Sequence, residues 1–165
     1  MATTSTLGLR SNPSYILPLV GSSLTVFYAF TETAIFAAFL RAADHEPAHT
    51  SKIVRHWWSA FLIPGTSLVF ATTLPTIISG SYALKHLSRG TAEWKLALGG
   101  VICALGHFAF VPPIAATISA ITDEEVERRG ETMGMVRRWL KLHFWRFALT
   151  DLPSLVCFTI LALGS

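Results

Sequence analysis

Four long apolar stretches separated by short polar ones fill almost the whole chain. The first runs from about Tyr15 to Leu40 and stops at Arg41 and Asp44; the second runs from about Trp57 to Leu84 and closes on Lys85 and His86. The third covers about Leu96 to Ile121, and the fourth about Leu142 to Leu163. A helix needs roughly 20 mainly apolar residues to cross about 30 Å of hydrocarbon, and each stretch is long enough. The pattern therefore predicts an all-α, integral membrane four-helix bundle, with residues 1–165 forming one domain. The first stretch is not read as a secretory signal, because it is long, follows a polar lead and lacks a preceding basic run. Pro64 and Pro75 can sit inside the second helix, since neighbouring helices satisfy freed carbonyls. Pro112 and Pro113 predict a kink in the third. Short linkers make sequential helices antiparallel neighbours. The mixed-charge linker DEEVERRGETMGMVRR predicts a surface helix that lengthens the fourth.

Composition narrows the chemistry. Of 165 residues, 52% are hydrophobic and 14% charged; Gln is absent and Asn12 is the only Asn. Buried polar work must therefore fall to Ser, Thr, Tyr, His, Trp and a few charges. The net charge of +3 would point to nucleic acid in a soluble protein, but here the basic residues stand at helix ends, as they do beside a membrane surface. Arg41, Lys52, Arg55, Arg128, Arg129, Arg137, Arg138 and Lys141 flank one face, against Arg10, Lys85, Arg89 and Lys95 on the other. That bias predicts both termini in the lumen, with the endoplasmic reticulum as the expected membrane. Cys103 and Cys157 lie in apolar segments and read as packing residues, so no disulfide framework is implied. The expected partners are membrane lipid and a lipophilic small molecule, with no nucleic acid; a homo-oligomer is compatible with the pattern.

Five ionisable residues interrupt the spans: Glu32, His107, His143, Arg146 and Asp151. A charge at the bilayer centre costs about 2.5–3.5 kcal/mol on insertion scales, so such residues face a cavity or a partner. At about 1.5 Å per residue, Glu32 lies about 13 Å below Arg41 and Asp151 about 15 Å below Lys141. His143 and Arg146 lie above Asp151, so the depths converge on one side of the membrane. Trp139, His143, Arg146 and Thr150 share one helical stripe. Asp151, five residues past Arg146, is turned by about 140° and is expected to meet a different helix. Tyr28 and Glu32, one turn apart, make a candidate donor–carboxylate pair. Gly99, Cys103 and Gly106 offer a small-residue seam for close packing, with His107 beside it.

These groups could act as a general acid and base, with Glu32 and Asp151 dividing the roles, or they could serve only to tie the helices together. Trp57, Trp58, Trp94 and Trp139 sit at span ends like an interfacial belt, and Trp145 lies inside. His45-Glu46-Pro47-Ala48-His49 matches the zinc string H-E-x-x-H. Pro47 belongs at a helix start and would strand His45 outside, so no metal is expected there.

The glycine- and serine-rich GSSLTVFYAF, the Trp57-Trp58 pair, the FAFVPP end of the third span and Trp139-x-x-x-His143-x-x-Arg146 together resemble the anthrone-oxygenase-like family of small four-helix fungal membrane proteins. Ile114 and His143 stand where that family usually carries Asn. The resemblance implies cofactor-free oxygenation of a lipophilic polyketide: a base removes a proton and the carbanion reacts with oxygen. No flavin, haem or nucleotide motif stands in the sequence, and no cofactor is expected. The expected catalytic set is Glu32, Asp151, Arg146, His143, Tyr28 and His107, with Trp58, Trp139, Trp145 and Thr150 contacting substrate. Two alternatives stay open. One is an epoxide hydrolase or cyclase acting on a polyketide or terpenoid, with Glu32 and Asp151 as acid and base. The other is a non-catalytic membrane scaffold.

Overall fold

The computed structural model describes residues 13–164, and their regular structure is entirely helical, with no strand among them. Helix α1 (Pro13–Ala43) turns at once into α2 (Pro47–His86). Helix α3 (Ala92–Gly106) passes through a 3-10 turn (His107–Phe110) into α4 (Val111–Thr122). A short α5 (Glu124–Arg128) leads to α6 (Thr132–Arg146), which runs through a π turn (Phe147–Asp151) into α7 (Leu152–Leu163). Four helical lengths result: Tyr15–Ala43, Pro47–His86, Ala92–Thr122 and Thr132–Leu163, each long and apolar enough to cross a membrane. Helix α1 lies along α2, α3 along α7, and α4 along α6.

Local chemistry explains the boundaries. Pro47 opens α2 because its fixed φ suits the first turn and its missing N–H would be unpaired there anyway. The helix therefore starts ten residues before the apolar run at Trp57. Thr91 caps α3 by accepting from the Trp94 N–H (3.2 Å), and Asp123 caps α5 by accepting from the Glu125 N–H (2.8 Å). Gly130, at φ +72°, ends α5, and the Glu131 N–H reaches back to the Val126 carbonyl (3.0 Å). The expected linker helix is thus two pieces: α5 is separate, and only α6 lengthens the fourth rod.

Two apolar cores occupy the two ends of the bundle. One gathers Phe36, Val54, Trp58, Ile121, Val136 and Trp139, and the other Tyr15, Ala97, Val101, Phe158 and Leu161. In the second, Gly80 and Gly100 press on the Phe158 ring so closely that a Cβ on either would stand 2.7 Å from its carbons. This close approach falls one residue from the expected Gly99–Cys103–Gly106 seam. Between the two cores lies a polar layer.

Two irregular turns shape that layer. Pro112 and Pro113 have no N–H, so Phe108 and Ala109 lose their α-helical donors. The chain tightens just before them, and the Val111 N–H bonds the Phe108 carbonyl instead. The expected kink is therefore a 3-10 turn that begins at His107. Pro153 likewise leaves the Leu149 carbonyl without its donor, and here the helix widens: the Leu152 N–H reaches back five residues to Phe147.

Candidate active site

The five ionisable residues converge from three rods. Glu32 comes from α1, His107 from the 3-10 turn, His143 and Arg146 from α6, and Asp151 from the end of the π turn. All are buried, none more than 6% exposed. Arg146 stands between the two carboxylates, its Nε 3.3 Å from Asp151 Oδ2 and its Nη2 3.8 Å from Glu32 Oε2. In a regular α-helix Asp151 would point well away from Arg146. Residues five apart stack in a π turn, and this brings the pair onto one face. The expected turn of about 140° away from Arg146 is corrected accordingly. Asp151 does meet a different helix, as expected, because Asp151 Oδ1 lies 2.9 Å from His107 Nδ1.

That contact has a chemical consequence. Asp151 accepts from the His107 Nδ1–H, which orients the ring and leaves Nε2 as its basic nitrogen. Nε2 has no protein partner among the described residues. His143 is held the opposite way. Its Nε2–H donates to the Ala29 carbonyl (3.0 Å), its ring stacks on Trp139, and its Nδ1 faces Glu32 Oε2 at 3.6 Å. One guanidinium carries one positive charge against two carboxylates, and an unpaired buried charge is costly, so the layer balances its charge only with one further proton.

Beside this layer is a cavity of about 370 Å³. Glu32, His107, Arg146 and Tyr28 form its polar end. Trp58, Phe61, Phe108, Ile114 and Trp139 are among its apolar walls. Leu62, Thr66 and Phe70 of α2 and Val111, Ala115 and Ser119 of α4 also line it and are exposed, so it opens sideways between those helices. A stacked pair, Phe70 and Phe108 (5.8 Å between centroids), stands at the mouth.

The remaining expected site residues divide. Trp58 and Trp139 line the cavity and are buried against Phe36, not arranged as an interfacial belt. Thr150 is buried behind the site, its hydroxyl near the Arg146 carbonyl and 3.1 Å from Asp151 Oδ1. Trp145, expected among the substrate contacts, is 47% exposed, faces outward and does not line this cavity. Its place within an apolar run gave its depth but not its face. Tyr28 lies beside Glu32 within hydrogen-bonding reach, the pairing the sequence predicts, and its hydroxyl also reaches the Gly65 carbonyl (3.4 Å). In the H-E-x-x-H string, His45 sits in the turn before the helix that carries His49. Sequence reasoning missed the α2–α4 wall, although the small residues along it, the buried Gly65 and the exposed Ala115 and Ser119, were a readable signal.

Fold and site together define a class: a four-rod helical protein with a buried acid–base layer at the closed end of a lipophilic cavity. Across nearly its whole length the chain is similar to three fungal proteins named as epoxidases. It is 25% identical over 158 residues to "Probable epoxidase scpX" of Mollisia scopiformis, covering 90% of this chain and 92% of that protein. It is 26% identical to "Epoxidase gkaX" of Penicillium citrinum, covering 91% and 92%, and 24% identical to "Epoxidase pydX" of an Acremonium species, covering 90% and 91%. No protein-family model matches the chain, and no solved structure matches it. These relatives bear out the expectation of an enzyme.

Proposed function

We propose that this protein is a membrane-embedded tailoring enzyme of fungal secondary metabolism that acts on a lipophilic polyketide or terpenoid intermediate by intramembrane acid–base chemistry. The observation that carries the reading is the meeting of Glu32, His107 and Arg146 at the polar end of an otherwise apolar cavity. His107, oriented by Asp151, takes a proton from the substrate. Arg146 stabilises the oxygen on which negative charge develops. Glu32, relayed to His143, returns a proton. Asp151 does not line the cavity and is a positioning residue. On this reading the four rods span the membrane with both termini lumenal, and substrate enters from the hydrocarbon between α2 and α4.

The relatives' names favour oxygen insertion, in keeping with the anthrone-oxygenase-like Trp139, His143 and Arg146 run. In that reaction the base removes a proton, the resulting anion is oxidised by dioxygen, one oxygen atom enters the substrate, and the other leaves as water with two substrate hydrogens. The acid–base layer itself supports a second reading, epoxide opening. Glu32 protonates the epoxide oxygen as its C–O bond breaks, while water or an internal hydroxyl, losing a proton to His107, forms the new C–O bond.

Isotope labelling tests both. Product formed under ¹⁸O₂ should carry the label if oxygen is inserted. Label taken instead from H₂¹⁸O, or none with an internal ether formed, would establish opening. Intact protein that leaves the pathway intermediate unchanged would contradict the enzymatic reading.

A further inference from the structure

Behind Asp151, on the side away from the substrate cavity, lies a second and much smaller cavity of about 10 Å³. Ser22, Thr25, Thr73, Thr76, Asp151 and Ser154, with Ala104, line it. A single water needs about 10–15 Å³ of such space and two to four polar partners. The walls supply those partners in a definite pattern. Ser22 donates to the Pro18 carbonyl (2.8 Å), Thr25 to Gly21 (3.1 Å), Thr76 to Thr72 (2.8 Å) and Ser154 to Gly100 (3.0 Å). Each of these hydroxyls has spent its one proton and offers only lone pairs. Thr73 is the exception. Thr73 is 2% exposed and its hydroxyl has no hydrogen-bond partner among the described residues; Asp151 Oδ2 accepts no hydrogen bond among them either, beyond its ion-pair contact with Arg146.

We infer that this cavity is a binding site for one water molecule, which accepts from Thr73 Oγ1 and donates to Asp151 Oδ2 and to one of the wall hydroxyls. The buried Thr73 hydroxyl would otherwise go unpaired, which proteins rarely tolerate, and Asp151 Oδ2 would keep only its ion pair with Arg146. The water completes the set of contacts around Asp151. Oδ1 faces His107 and Thr150; Oδ2 faces Arg146 and the water. Thr73 is thereby a positioning residue: it acts through the water on Asp151, and through Asp151 on the His107 ring. Its effect on turnover rests on the acid–base reading above, but the water site itself does not.

Infrared difference spectroscopy in H₂¹⁶O and H₂¹⁸O tests the site without any substrate. Wild-type protein should show an isotope-sensitive band from an ordered water. Thr73→Val, which keeps the shape and removes the donor, should lose that band and shift the Asp151 carboxylate stretch, and Thr73→Ser should restore both. Turnover of Thr73→Val should fall about tenfold in kcat at unchanged KM, the effect of losing one hydrogen bond. Identical spectra for wild type and Thr73→Val would overturn the inference. If Thr73→Val does not fold, a high-resolution density map of the wild type decides, since no density beside Asp151 and Thr73 would overturn it equally. Loss of the band with unchanged kcat would uphold the water site and overturn the positioning role of Thr73, leaving the acid–base reading as it stands.

Discussion

Arg146 is held by two carboxylates that are not equivalent. Asp151 stands closer, at 3.3 Å against 3.8 Å for Glu32, and also accepts from His107. Asp151→Asn keeps the size of the side chain but removes the charge that pairs with Arg146, and it replaces one of the two acceptor oxygens that face His107 and Arg146 by an amide donor. Removing one member of a buried ion pair costs about 3–5 kcal/mol, so this variant should melt earlier in detergent and also lose turnover. An unchanged melting temperature would show that Asp151 does not brace Arg146. Part of this cluster was legible in the sequence. The Trp139, His143, Arg146, Thr150 stripe follows from helical period alone, and all four residues are buried. The position of Asp151 was not legible, because a π turn is set by Pro153 and by packing that a regular period cannot register. Trp145 misled for a related reason: hydropathy reports depth in a span, whereas the outward face of the helix is also apolar when its surroundings are lipid.

The four apolar stretches announced the rods, but the rods exceed them. Helices α2 and α6 begin in polar sequence, where Pro47 and the turn at Gly130 set the start and hydropathy gives no sign. The opposite holds for the contacts between α2, α3 and α7. There the decisive fact is which glycine meets which ring, and a seam of small residues in the sequence does not say. Gly100→Ala would place a Cβ 2.7 Å from the Phe158 ring. Overpacking of this kind costs about 1–3 kcal/mol, so the variant should melt earlier while the folded fraction keeps its turnover. Combining it with Phe158→Leu should recover much of that loss, because two residues in contact do not act additively. Simple addition of the two penalties would mean that the ring and the glycine do not constrain each other.

At the scale of the molecule, two apolar cores clamp a polar layer, and the layer faces a cavity that opens sideways, not toward either end. If substrate enters from the hydrocarbon, the lip of that opening limits access. Ala115 is exposed at the lip, so Ala115→Trp should fold normally yet raise KM or block turnover. Normal kinetics from this variant would place the entrance elsewhere. The central claim, that the buried layer is catalytic and more than a brace, is tested most directly at Glu32. Its charged contacts are the longer ones, so Glu32→Gln should disturb stability least while removing a proton carrier from the cavity wall. The measurement is product formed per folded molecule by Glu32→Gln in proteoliposomes, with thermal melting recorded on the same sample. The account predicts a fall of about 10²–10⁴ in rate at a nearly unchanged melting temperature. Wild-type turnover accompanied by a lowered melting temperature would contradict it.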